Sequence, residues 1–334
     1  MRAGSRNLAL AALAAGAVAV LFAAPFIGEE RVPLRVLFDR SSGDVASTIF
    51  WSLRLPRVLV SLLAGAGLAV SGMAFQAMFR NPLATPFTLG VSSGASLGAT
   101  IALRLGFTFS ILSFSAVSAA AFAGAGAAIL LVYGLTRARR GFSAATMLLA
   151  GVAVSFFFSS MILLMQYLSD ILDSARILRW IMGSLATVGY ASTLEMLPFV
   201  TAGASLVLYL THELNLLTTG EDIATSRGVN VARTKHLLFF ATSLMVGGVV
   251  AVCGPIGFVG MMSPHICRLL IGPDHRYLTP ATLLFGAAFL TLCDVLSRTL
   301  IAPAEIPVGV ITAILGGPFF LWLLLGGKPQ RMMA

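Results

Sequence analysis

Residues 56–79 read PRVLVSLLAGAGLAVSGMAFQAMF, and after Arg57 no charged side chain occurs for 22 positions. A helix needs about 20 apolar residues to cross the hydrocarbon core of a bilayer, whereas a tilted barrel strand needs about 10. Hydrocarbon offers no water to the amide groups, so the backbone must satisfy its own hydrogen bonds. A run this long, rich in Ala, Leu, Gly and Val, therefore points to a membrane-spanning helix.

The same pattern recurs on both sides. The 334 residues are 58% hydrophobic and 10% charged, with a mean hydropathy of +0.94. A soluble domain of this size could not hide so much apolar surface. Ten apolar segments are predicted, at about 8–28, 56–79, 87–105, 111–135, 143–168, 194–211, 236–254, 257–271, 280–300 and 308–326. The eighth is short and bounded by Gly254-Pro255 and Gly272-Pro273. The expected fold class is all-α: a polytopic membrane protein of about ten transmembrane helices in one bundle per subunit. It forms a single transmembrane domain over residues 1–334. The start has the outline of a signal peptide, with Arg2, Arg6, an apolar run from Leu8 and Ala23-Ala24. The run is long for that role and everything downstream is also apolar, so a retained first helix is expected.

The chain carries a formal charge of +9. An even number of segments puts both termini on one side. With that side cytoplasmic, the inner segments hold 13 Lys and Arg against four Asp and Glu, and the outer ones nine against nine. The excess lies on one face, as the positive-inside rule expects, and the basic balance needs no nucleic acid. Two outer segments are more than simple loops. Residues 29–52 are long and mixed in charge, and residues 169–190 set Ile171, Leu172, Ile177, Leu178 and Ile181 among Asp and Arg. The latter reads as a short amphipathic helix at the outer interface, with Trp180 and Tyr190 at headgroup depth.

Catalysis finds no foothold. A P-loop needs a lysine followed by Ser or Thr, but Lys235 precedes His236 and Lys328 precedes Pro329. Cys253, Cys267 and Cys293 lack metal-ligand spacing and read as small buried residues. His212, His236, His265 and His275 fall at the predicted inner face as solvated loop histidines. Mid-membrane polar residues are few: Gln76, Gln166 and hydroxyls. Asp294 and Arg298 stand four apart on one helix face and can pair near the outer end. No catalytic residue, metal ligand or cofactor is expected in this chain. Glycines such as Gly65, Gly67, Gly72, Gly94, Gly98 and Gly124 allow helices to approach closely; lining a wide passage is the other reading.

That leaves a pore or carrier driven from outside. The inner stretch at about 213–235, ELNLLTTGEDIATSRGVNVARTK, is the best handle for a motor. Thr218 or Thr219 is expected to cap a helix beginning near Gly220, with Glu221 and Asp222 in its first turn. Gly228 reads as its stop and Asn230 as a second turn residue. An ordinary solvated loop is the alternative.

Six motifs in order carry a resemblance. They are Arg54-Leu55-Pro56-Arg57; FRNPLATP at 79–86 with LGVSSGA at 89–95; RWIMGSL at 179–185; Gly220-Glu221 through Arg227-Gly228-Val229-Asn230; GPIGFVG at 254–260 with PHI at 264–266 and Arg268-Leu269; and EIPVGVIT at 305–312 with GGPFF at 316–320. Together they resemble the permease subunits of bacterial ABC importers for iron–siderophore, haem and cobalamin. The resemblance implies a homodimer in the bacterial inner membrane with a central passage. It also implies two copies of a separate ATPase subunit, which carries ATP and Mg, and a periplasmic substrate-binding protein.

By that resemblance Glu221, Asp222, Ala224, Arg227, Gly228, Val229 and Asn230 form the segment coupled to the ATPase. Arg54, Arg57 and Arg298 match positions that receive acidic residues of the binding protein. Bidentate guanidinium–carboxylate pairing suits the role. The plainer reading has Arg54 and Arg57 anchoring a helix end and Arg298 pairing only with Asp294. The cytoplasmic gate maps to Asn81, Leu83 and Ser143; Ala144 stands beside Ser143 where a hydroxyl can occur. Turn-forming roles are the alternative. The implied cargo is an iron chelate, siderophore or haem, with cobalamin as the alternative. An ion-coupled secondary carrier and a membrane scaffold are the readings outside the family.

Overall fold

The computed structural model describes residues 3–38, 44–107, 109–111, 114–138 and 144–326. Ser143, and the charged residues Arg2, Asp39, Arg40, Arg139, Arg140, Lys328 and Arg331, lie outside them.

Among the described residues the chain is nearly all helical. Its α-helices are α1 (Ala3–Ala23), α2 (Val45–Thr48), α3 (Leu55–Phe79), α4 (Val91–Arg104), α5 (Ala116–Ala138), α6 (Ala144–Tyr167) and α7 (Ile171–Ile181). There follow α8 (Ala191–Tyr209), α9 (Thr211–Thr219), α10 (Glu221–Ser226), α11 (Val231–Cys253), α12 (Val259–Ile271), α13 (His275–Thr299) and α14 (Val308–Gly326). Each of the ten predicted segments coincides with a helix. By length and composition seven qualify as spans: Gly4–Phe26, Val45–Phe79, Ala116–Ala138, Ala145–Tyr167, Ala191–Tyr209, Val231–Cys253 and His275–Thr299. Two further apolar helices, Val259–Ile271 and Val308–Leu323, are shorter, and α4 has 14 residues.

Helix α3 is the axis of the bundle, buried along most of its length and packed on α8, α11, α12 and α13. Pro56 sits in its first turn, directly after the π-helical turn Ile49–Arg54 that leads into it. Arg80, at φ +50, ends it in the left-handed region. Its contact with α13 is backbone to backbone: a Cβ on Gly65 would lie 2.2 Å from the Gly286 carbonyl oxygen. The buried Ser61 and Thr291 hydroxyls hydrogen-bond across the same contact at 2.8 Å. Between α4 and α5 the equivalent pair is Gly94 and Gly124, 2.4 Å by the same measure. Small residues thus serve tight packing at these positions, as expected where lipid gives helices no hydrophobic reason to associate.

Two boundaries differ from expectation. Residues 86–89 form a 3₁₀ turn boxed by Thr85 and Thr88, and α4 begins only after Gly90. Ser110–Ile111 pairs antiparallel with Phe114–Ser115, so α5 starts at Ala116 rather than at 111. The segment before α3 is folded. Asp44 caps α2, a π-helical turn spans Ile49–Arg54, and Val32, Val36 and Phe50 form a small core closed by the Trp51 indole N–H donating to the Val36 carbonyl at 3.2 Å.

Candidate functional site

Chemistry-bearing side chains gather at the two ends of the bundle. At the end where α3 begins, Arg54 closes the π-helical turn, Arg57 lies in the first turn of α3 and Arg298 in the last turn of α13. The antiparallel packing of α3 on α13 brings the three together around a cavity of about 560 Å³, with Glu29, Glu30 and Glu305 also on its wall.

Their partners are unequal. Arg57 Nε donates to Asp294 Oδ1 at 2.8 Å, and Nη1 reaches both oxygens of Glu305 at 2.8 and 2.9 Å. Asp294 is fully buried, while the Glu305 side chain is 47% exposed. Arg298 Nε lies 3.6 Å from Asp294 Oδ2, and its Nη2 donates to the Ala24 carbonyl at 2.7 Å. Arg54 donates to the carbonyls of Pro25 at 3.3 Å and Glu30 at 2.5 Å. Arg57 therefore does more than anchor a helix end, and Arg298 shares Asp294 instead of holding it alone. One deeply buried carboxylate faces two guanidiniums, and the cavity wall sets Arg54, Arg57 and Arg298 among Glu29, Glu30 and Glu305, so charges of both signs line it.

At the opposite end stands the handle. The predicted threonine caps are not formed: Thr218 and Thr219 hydroxyls donate back to the Asn215 and Leu216 carbonyls inside α9. The break is made by Gly220 itself, at φ +136 and ψ +150, a conformation open to glycine. Glu221 and Asp222 occupy the first turn of α10, and Ala224 is its buried anchor. The helix ends in a Schellman motif: Val229 N–H donates to the Ala224 carbonyl at 3.0 Å and Gly228 N–H to that of Thr225 at 2.9 Å, with Gly228 at φ +85. Arg227 is the C-cap residue. Asn230 is not a second turn residue of this helix; its Oδ1 accepts from Arg233 N–H at 3.0 Å and caps α11.

Sequence reasoning missed three contacts here. Lys235, buried in the first turns of α11, donates to Glu221 Oε1 at 2.5 Å. Arg268 Nη2 donates to Gln76 Oε1 at 2.5 Å. Asp274 binds the Asn215 amide at 2.9 Å, lies 3.7 Å from Arg6 and caps α13, so it joins α1, α9 and α13. Burial alone would raise the Asp274 carboxyl. The Asn215 and Arg276 hydrogen bonds and the charges of Arg276 and Arg6 outweigh that and hold it below the usual carboxylate range.

Two histidines depart from the solvated-loop expectation. His265 is buried against the Phe319 ring, and His275 is buried with Nδ1 2.9 Å from Asn215 Oδ1. The mapped gate positions are divided. Asn81 Oδ1 accepts from Leu83 N–H at 2.9 Å in a turn after α3, and the Leu83 side chain is exposed. Ser143 is outside the described residues. Among the described residues no group of three or more His, Cys, Asp or Glu could hold a metal ion.

Against known families, the profile of the FecCD transport family matches residues 16–326. The chain belongs to the FecCD transport family. Relatives include the hemin transport system permease protein HmuU of Yersinia pestis, 39% identical over 306 residues, 91% of each chain. The vitamin B12 import system permease protein BtuC of Citrobacter koseri is 41% identical over 281 residues, 83% of each. Among solved structures, one of an ABC transporter described as of metal-chelate type, in an inward-facing conformation, superposes with a TM-score of 0.83. It is 33% identical and covers 96% of this chain and 99% of its own. The PsaBC structure from Streptococcus pneumoniae shares the fold, with a TM-score of 0.57 at 15% identity over 89% of this chain and 97% of its own. FecCD membership makes this chain a membrane permease of an ABC importer.

Proposed function

We propose that this permease passes an iron chelate, siderophore or haem, from a periplasmic binding protein to the cytoplasm. It works as a homodimer driven by two separate ATPase subunits that carry ATP and Mg. All ten apolar segments cross the bacterial inner membrane, with both termini cytoplasmic. The arginine end then faces outward and α10 inward. Arg54, Arg57 and Arg298 receive acidic side chains of the binding protein. The segment Glu221–Asn230 seats on the ATPase, and Asn81, Leu83 and Ser143 gate the inner mouth.

The observation that carries this reading is the construction of α10. A six-residue helix is stopped by glycine on both sides, closed by a Schellman motif, anchored by Ala224 and tied by Lys235 to the helix that follows. A solvated loop needs none of these devices. A rigid projection that must deliver force to a long helix needs them all.

ATP binding closes the partner dimer, the coupling segments move, and α11 carries the motion into the bundle through its packing on α3, α5 and α8. Hydrolysis resets the cycle. Cobalamin is the second reading, supported by the vitamin B12 permease relative. The hemin permease relative supports the haem reading.

Replacing Glu221–Arg227 by a Gly/Ser linker tests the proposal. Uptake and transport-stimulated ATP hydrolysis are expected to vanish while the protein still inserts. Unchanged uptake would remove the coupling assignment.

A further inference from the structure

We propose that Glu305 is a displaceable internal ligand of Arg57, occupying its guanidinium until an acidic side chain of a docking protein takes its place. The inference rests on the reading of the arginine pocket as the docking site.

The two carboxylates on Arg57 are built for different tasks. Asp294 projects from the body of α13, is fully buried and is shared with Arg298. Removing it would strand charge in the interior, so it is permanent. Glu305 comes from the connection between α13 and α14 and is half open to solvent, with both oxygens on one nitrogen, Nη1. Arg57 is only 11% exposed, so the pair is open to competition from the Glu305 side alone, where water and other ions reach the carboxylate.

The backbone beneath Glu305 is fixed. Ile306 N–H donates to the Ser297 carbonyl at 3.0 Å, and the Ser297 hydroxyl donates back to the Ile306 carbonyl. Glu305 can therefore leave Arg57 by rotating its side chain, without unfolding the connection. Space for a replacement lies alongside, in the cavity that Arg54, Arg57, Arg298 and Glu305 line together. Arg54 is committed to two backbone carbonyls, whereas Arg298 Nη1 is buried with no hydrogen-bond partner among the described residues. An incoming carboxylate thus meets the arm of Arg57 that Glu305 vacates, with the buried charge of Arg298 behind it.

This arrangement gives selectivity. A pocket already holding its own carboxylate resists lone anions, which must displace Glu305 with nothing else to contribute. A protein that brings further contacts displaces it.

The test uses the full chain in lipid nanodiscs and a fluorescein-labelled triglutamate peptide, with trilysine as control, read by anisotropy. Glu305→Gln is expected to bind triglutamate about fivefold more tightly than the unaltered chain. Arg57→Lys keeps a cation beside Asp294, so the fold survives. It is expected to weaken the peptide and to abolish the gain from Glu305→Gln. If Arg57→Lys weakens binding but Glu305→Gln does not tighten it, displacement is overturned and the docking pocket stands. If Arg57→Lys leaves binding unchanged, or if Glu305→Gln binds no peptide, the pocket takes no carboxylate and both ideas fall.

Discussion

Lys235 is 3% exposed, and its ammonium reaches Glu221 Oε1 at 2.5 Å, fourteen residues back along the chain. The pair fastens the start of α10 to the start of α11. A pull on the short helix is then a pull on a 23-residue helix that runs through the core.

Breaking this pair from either side has different consequences. Glu221→Gln leaves a buried ammonium without its counter-charge, which is expected to cost about 1–3 kcal/mol. Lys235→Met removes the charge together with its need for a partner, so it costs less stability. Both loosen α10 and are expected to reduce uptake. Thermal unfolding in detergent and vesicle uptake on the same preparations separate the two effects. Equal stability loss in both variants would contradict the assignment.

Asp294 holds the opposite end. Asp294→Asn leaves Arg57 and Arg298 without their shared buried carboxylate, and breaking a buried pair this way costs about 3–5 kcal/mol. The expected result is a large fall in thermal midpoint and poor recovery from membranes. Glu305→Gln, altering the exposed carboxylate on the same guanidinium, is expected to change the midpoint little.

Glycine positions divide by what surrounds them. A Cβ on Gly72 would lie 1.9 Å from the Gly260 carbonyl oxygen, whereas one on Gly126 meets nothing within 4 Å. Gly72→Ala must push α12 off α3, and overpacking of this kind costs about 1–3 kcal/mol or more. Gly126→Ala lies inside α5 with free space and is expected to stabilise that helix by about 0.5–1 kcal/mol. Differential scanning of the two variants reads the contrast directly.

The Asp274 knot adds an acid-sensitive contribution. Its carboxyl titrates below its unfolded value of about 3.9. The stability it contributes is therefore complete above that value and is lost as pH falls through the lower folded value. Asp274→Asn is expected to flatten the acid limb of the thermal midpoint between about pH 5 and pH 2. It should also lower the midpoint at neutral pH, where the unaltered chain keeps the full contribution. An unchanged acid limb would show that the knot does not stabilise the fold.

Much of this architecture is legible in the sequence because hydrocarbon imposes one rule on every span. The run at 56–79 falls within a residue of α3, and Pro56 marks its first turn. Hydropathy cannot tell an apolar strand from an apolar helix start, so the predicted helix begins at 111, although Ser110–Ile111 pairs antiparallel with Phe114–Ser115. Gly65 and Gly94 were recognisable as packing residues, but their partners Gly286 and Gly124 depend on helix register.

The sites follow the same division. Arg57 and Asp294 are 237 residues apart, and no local pattern joins them. His265 and His275 looked like loop residues because they sit beside short, glycine-bounded segments, yet packing of α12 on α3 and α13 buries them. The outline of α10 was readable from Gly220, Glu221 and Gly228, while its threonines kept to α9 and Asn230 served α11.

The most direct test of the central claim is to purify the tagged chain from its native membranes, quantify what accompanies it, and assay ATP hydrolysis. An ATPase subunit in equal amount with vanadate-sensitive turnover, both lost when Glu221–Arg227 is replaced by a Gly/Ser linker, is the predicted result. Full co-purification and hydrolysis with the linker in place would contradict it.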